Sequence, residues 1–308
     1  MDSQHPTPSA VPGPVRGLPP VTPPSGRFIA QLFLVPGMIV LVAVLLLLAF
    51  RYLLGGGYMP ESFLKQLDNE NTDIRWRGAS DLAQVLKRPE SMNLKSDPAF
   101  ALELAQRLRA GLDDLAEEEA RIQEKTATAS MEAKEAAWGK PLDAKRNYVN
   151  FLAATMGDFL VPVGVPLLCE ILLRDDSPDP KSILRRRQAL NSLISLGDNL
   201  KAFHKLLAPQ QAEIRELLVK ESGSTNPTRA ACARNGLYYL DNEQRSVAVA
   251  EGIVKVDNTL AKVAQDSDQF LRELVAFAFN FWDGPLAEPT LLKLTHDRGQ
   301  GTLVRVPE

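Results

Sequence analysis

Three histidines, two cysteines and two glycine-rich tracts are the places where this chain could do chemistry, and their spacing limits what each could be. His5, His204 and His296 stand apart from one another and from Cys169 and Cys232, whereas a metal site needs three or four such ligands brought together, usually at short spacings. Cys169 and His204 have the types required of a thiolate nucleophile and its base. A small buried thiol on an apolar helix and a surface imidazole also account for them. Gly55-Gly56-Gly57 lacks the Lys-Ser/Thr ending of a phosphate loop, and Gly299-Gln300-Gly301 lacks a third glycine and a following helix, so both read as flexible joints. No Gly-x-Ser-x-Gly elbow and no His-Glu-x-x-His pair occurs. The sequence therefore assigns no catalytic residue, no cofactor-binding residue and no metal ligand, and it implies no cofactor.

Two charged features point to partners instead. Arg185-Arg186-Arg187, with Lys181 one turn earlier, could face anionic lipid or an acidic protein. Consecutive helical residues point about 100° apart, so the three cannot share a face, and a solvated surface is the plainer reading. The acidic stretch from Asp113 to Lys140 fits either a docking arm or a solvated helix. A net charge of −3 and a pI near 5.8 give no reason to expect nucleic acid. Two cysteines cannot form a disulfide framework in a 308-residue chain.

The elements that must position these residues begin with an apolar run. Arg27 and Arg51 bracket 23 uncharged residues, which as a helix would extend roughly 34 Å, enough for one membrane crossing. Fourteen of the nineteen residues from Leu32 to Phe50 are Leu, Val, Ile or Phe, favouring insertion by about 4 to 8 kcal/mol. No polar stripe marks a face for a protein core, and Arg51-Tyr52-Leu53-Leu54 follows where a cleaved signal would have small residues. The expectation is a transmembrane helix over 27–54, in contact with membrane lipid through residues 28–54. Ahead of it, residues 1–26 carry eight prolines and read as a disordered tail; behind it, 55–58 is a Gly-rich linker. Lysine and arginine are balanced on either side of the span, so the positive-inside rule does not orient it. Two unpaired thiols lean the following domain towards the reducing, cytoplasmic side.

From Met59 to His296 the pattern is of paired helices. Ile74, Ala79, Leu82 and Leu86 recur at helical spacing. Aligning Arg75 with Arg272 sets Ala79 against Ala276, Leu82 against Phe279, and Asn69 and Asn71 against Asp266 and Asp268. Between them lie two more units, one with Asp179-Pro180 before Arg185, Ala189 and Leu193, the other with Asn226-Pro227 before Arg229, Ala233 and Leu237. Arg185, Arg229 and Arg272 step by 44 and 43 residues, a period of two-helix repeats. The 110 residues from Arg75 to Arg185 hold one further unit, with Arg146 in the arginine position and Asn150 where alanine is expected. Its long first helix, with a seam at Leu108, Leu112, Leu115 and Ile122, is expected to project as a helical hairpin, an insertion over about 108–140. Asp283-Gly284-Pro285 stops the last unit, Pro289 to Leu294 forms a covering helix, and 297–308 is a tail.

In this grammar of a polar turn, an arginine, an alanine four residues on and a following apolar residue, the chain resembles the HEAT-repeat family of armadillo-type α-solenoids. The resemblance implies stacked antiparallel helix pairs, small residues where helices approach closely, and turn carboxylates available to arginines of neighbouring repeats. It also implies protein binding far more often than catalysis. The resulting expectation is an all-α protein: an N-terminal transmembrane helix, then a HEAT-like α-solenoid over 59–296 of about five pairs, acting as a membrane-tethered, non-catalytic scaffold for an unknown protein partner. The alternatives are a lyase-like, ligand-handling enzyme using a cleft in the solenoid, and a passive spacer.

Overall fold

The computed structural model describes residues 34–47, 59–174, 177–240 and 252–296. The tail 1–26, the linker 55–58, the end 297–308 and both flanks of the apolar run lie outside them. The chain divides into two units, Met1–Gly56 and Gly57–Glu308, and the described residues are all-α, without a strand.

In the first unit, residues 34–47 form one helix (α1), exposed along its whole described length. Its fourteen described residues extend about 21 Å. Among the described residues no helix is long and apolar enough to cross a membrane.

The second unit is built from helix pairs. They are α2 (Pro60–Leu67) with α3 (Thr72–Leu86), α5 (Pro98–Thr126) with α7 (Lys140–Gly157), α8 (Val165–Leu173) with α9 (Ser182–Phe203), α10 (Ala208–Ser222) with α11 (Pro227–Leu240), and α12 (Val256–Val263) with α13 (Gln269–Ala278). Short α4 (Met92–Lys95) and α6 (Met131–Trp138) fill the second unit's connections, and α14 (Ala287–His296) follows the last pair and packs on it.

The turns inside four of the five pairs, all but α5–α7, share one construction. A polar side chain accepts the N–H two residues ahead: Asn69 from Asn71 (2.9 Å), Ser177 from Asp179 (3.3 Å), Ser224 from Asn226 (3.3 Å) and Asp266 from Asp268 (2.8 Å). The second residue then satisfies an N–H at the start of the next helix: Asn71 that of Asp73 (2.8 Å), Asp179 that of Lys181 (2.9 Å), Asn226 that of Arg229 (3.0 Å) and Asp268 that of Leu271 (2.8 Å). Helices leave their first N–H groups unsatisfied, which is why Asn, Asp and Ser recur here.

The stacking order departs from the order of the sequence. Second helices α3, α7, α9 and α13 form one row, and α9 packs directly on α13 while α8 packs on α12. The α10–α11 pair does not stand between them. Instead α11 lies against α5, α8 and the 3-10 turn Pro162–Gly164, covering the row of first helices as a third layer. Arg229, aligned in the sequence with Arg185 and Arg272, accordingly bonds Glu103 of α5 (2.7 Å) and Glu221 of its own pair. The regular 44- and 43-residue steps record equivalent hairpins, not consecutive stacking.

Arginine–carboxylate pairs tie the row together. Arg146 on α7 grips Asp179 in the next turn with two bonds of 2.8 and 2.6 Å, and Arg185 lies 3.5 Å from the same carboxylate. Arg186 and Arg187 on α9 reach past the α10–α11 pair to Asp266 and Asp268 respectively. Arg185 and Arg186 are only 5% and 8% exposed. This corrects the surface reading of Arg185 and Arg186, because three directions on one helix suit three separate carboxylate partners.

The insertion is likewise corrected. α5 has 29 residues, roughly 43 Å, but it does not project. Leu108, Leu112 and Leu115 are buried, as is Glu119, which accepts from Arg185 (2.9 Å) and Ser177 (2.8 Å). α6 packs back on α5 and α7, and Lys145 of α7 bonds Asp114 (2.9 Å). The acidic stretch is therefore part of the body. Close helix approach falls to glycine as well as alanine: a Cβ at Gly157 of α7 would lie 2.7 Å from the Ser192 backbone of α9. Ala79, Ala189 and Ala233 are buried, but Ala276 is only half-buried.

Asp179→Ala would leave Arg146 and Arg185 without their shared carboxylate and is expected to destabilise the fold by about 3–5 kcal/mol. Urea unfolding measures it, and a loss below about 1 kcal/mol, the range of an exposed pair, would show that this buried cluster does not hold the turn.

Candidate functional site

A cavity of about 480 Å³ lies where the end of α11, the first turn of α12 and the turn after α13 meet. Its walls are set from α11. Asn235 accepts the Val254 N–H (2.9 Å) and donates to the Gly252 carbonyl (3.3 Å), while the Tyr239 hydroxyl donates to the Val254 carbonyl (2.8 Å) and accepts the Val256 N–H (2.9 Å). These bonds fix the extended approach to α12. Burial pushes the Tyr239 hydroxyl above its ordinary pKa, so it stays a donor. Its ring meets Trp282 edge-on with centroids 5.1 Å apart, and the Trp282 indole N–H donates to the Leu193 carbonyl of α9 (2.7 Å). The aromatic floor is thus pinned to the second-helix row.

Asp257 enters this frame on the first turn of α12. It is 7% exposed. One carboxylate oxygen, Oδ1, accepts the Asn258 N–H (2.9 Å), and the other, Oδ2, is enclosed without a hydrogen-bond partner among the described residues. The Gly284 backbone lies over it so closely that a Cβ there would sit 2.5 Å from Oδ2. Lys255 and Asp283 also line the cavity, and Asp283 accepts the Gly284 N–H (2.8 Å). Among the described residues, neither a thiol nor an imidazole lines it. A second cavity, about 610 Å³, separates α12 from α14 and includes His296.

No protein-family model, curated protein or solved structure matches the chain.

The residues singled out by the sequence are not brought together. Cys169 and Cys232 are buried free thiols in the core, each pushed by burial up to about 12. His204 is exposed, its ring against Phe203 with centroids 5.6 Å apart, and neither it nor Cys169 lines either of these two cavities. His296, also exposed, contacts the Leu292 carbonyl through Nδ1 (2.6 Å). His5 and both glycine tracts lie outside the described residues. Among the described residues, no group of three or more His, Cys, Asp or Glu side chains converges to hold a metal ion. Asp257, Tyr238 and Trp282 were missed by sequence reasoning. The aromatic pairs Tyr238-Tyr239 and Phe281-Trp282 were visible, but nothing along the chain joins segments more than forty residues apart.

The thiols give a pH prediction. A thiol that ionises near 9 in the unfolded chain and near 12 in the fold keeps its proton longer when folded. Its stabilisation is complete below pH 9 and falls between 9 and 12 by about 1.4 kcal/mol per pH unit for each thiol. The Cys169→Ala, Cys232→Ala double variant should therefore lose stability less steeply over that range than the parent chain. Chemical unfolding at stepped pH measures the difference, and equal slopes would refute the burial effect.

Proposed function

We propose that the chain is a membrane-tethered, non-catalytic scaffold for protein binding, its second unit a HEAT-like α-solenoid. The observation that carries this reading is the repeated turn, with arginines of one second helix bonded to carboxylates in the turn of the next stacked unit. Such bonds between neighbouring repeats are what the family resemblance implies. The α10–α11 layer is this chain's own departure from a plain stack. The chemistry-bearing groups support a binding role: both thiols are buried and protonated, and the triple arginine is occupied by internal carboxylates. Exposed Phe270 and Phe277 on α13 offer the anchors that a protein interface uses.

The tether is read from the 23 uncharged residues between Arg27 and Arg51. Along 34–47 the helix exposes every large apolar side chain, a surface that needs lipid or protein cover. We place membrane lipid around residues 28–54 and the second unit on the cytoplasmic side, where free thiols are kept reduced.

Two experiments test the halves of this reading separately. Affinity capture with the detergent-solubilised full chain should recover a protein partner, and Phe270→Ala with Phe277→Ala should weaken its retention about tenfold; no partner above background would overturn the scaffold. For the orientation, Lys205→Cys places an exposed thiol beside two buried ones. An impermeant maleimide should label it only after the cells are permeabilised, and labelling of intact cells would put the domain on the outer face.

A further inference from the structure

The cavity at the junction of α11, α12 and the 281–285 turn has the composition of a cation site, and nothing in the scaffold reading requires it. Two carboxylates, Asp257 and Asp283, line it against one ammonium, Lys255. Asp257 is nine-tenths buried, and while its Oδ1 accepts the Asn258 N–H, its Oδ2 has no partner among the described residues, so the carboxylate is only half-satisfied, an arrangement that a cationic donor would relieve. Tyr238, Phe281 and Trp282 supply aromatic side chains to its lining, and aromatic rings attract ammonium groups most strongly when water is excluded. Phe281 already receives one: Lys201 Nζ lies 4.7 Å from its ring centroid.

Other ligand classes fit worse. An anion would seek the free N–H groups of the α12 start, but the Val256 N–H is taken by Tyr239 and the Asn258 N–H by Asp257, and the carboxylates would repel it. A metal ion would need several convergent oxygen or nitrogen ligands, and among the described residues no such group exists. A neutral apolar molecule would leave the Asp257 charge uncompensated.

We propose that this cavity binds a primary alkylammonium group, with Asp257 as the fixed counter-charge in its wall, Asp283 adding to the field, and the aromatic side chains enclosing the alkyl stem. A volume of about 480 Å³ is within the range of small-molecule sites. The same chemistry is carried by a free alkylamine and by a lysine side chain of a protein partner.

The test uses the full chain in detergent micelles, titrated by calorimetry with butylammonium, with N-acetyl-lysine methylamide and with butan-1-ol as the uncharged match. Butylammonium or the lysine amide should bind about tenfold more tightly than butanol, and Asp257→Asn should weaken the charged ligand by about tenfold. Lys255→Gln, which removes the opposing charge, should tighten it; this arm decides the matter if Asp257→Asn fails to fold. Tighter binding of the free amine assigns a small-molecule ligand, and tighter binding of the lysine amide assigns a partner's side chain. Butanol binding as tightly as the amine, no binding of either charged probe, or Asp257→Asn and Lys255→Gln variants with parental affinity would each overturn the site. Partner capture repeated with Asp257→Asn keeps the two readings distinguishable, since loss of amine binding with the partner retained leaves the scaffold intact.

Discussion

Burying a guanidinium or a carboxylate is unfavourable unless its partner is buried with it, and the second unit is assembled under that constraint. Arg146, Asp179, Arg185 and Glu119 form one enclosed cluster with two charges of each sign. Arg186 with Asp266 and Arg187 with Asp268 extend the arrangement to the last pair. Such pairs add little net stability relative to a well-packed apolar core, but a slip of one residue in helix register would leave charges stranded inside. Apolar side chains of similar volume tolerate such slips better. In this chain the apolar core supplies the stability, and the charged turns set which helix lies against which.

That constraint also explains how the α10–α11 pair could leave the stack. Because Arg186 and Arg187 on α9 supply the turn of the last pair, α13 needs no arginine from α11. Released from the row, α11 meets α5 and α8, where Arg229 finds Glu103. Its far end then reaches the approach to α12, and Tyr239 and Asn235 hold that approach in place. The cavity at Asp257 exists because a helix outside the stack meets the end of the stack. In a plain succession of pairs those surfaces would be covered by the next repeat.

The two candidate surfaces have different physical origins. The exposed phenylalanines of α13 belong to the regular row, and any repeat of this type could carry them. The Asp257 cavity belongs to the irregularity. Its carboxylate is held on one side by the Asn258 N–H and on the other by the closeness of Gly284.

Much of the fold was legible in the sequence. Helical spacing marked the pairs, and the Asn and Asp side chains marked the turns, because helix starts need local acceptors and local needs are written in neighbouring residues. The apolar run between Arg27 and Arg51 was equally plain, since length and lack of charge are properties of the chain alone. Arginine positions were found as well, but not their partners: Arg186 meets Asp266 across 80 residues, and no periodicity encodes such a pairing. The tertiary structure decided three things. It put Arg185 and Arg186 inside, folded the acidic stretch against α7, and displaced α10–α11 from the row. Each depends on which charges and apolar faces compete for the same buried space, and that competition is settled only when distant segments meet.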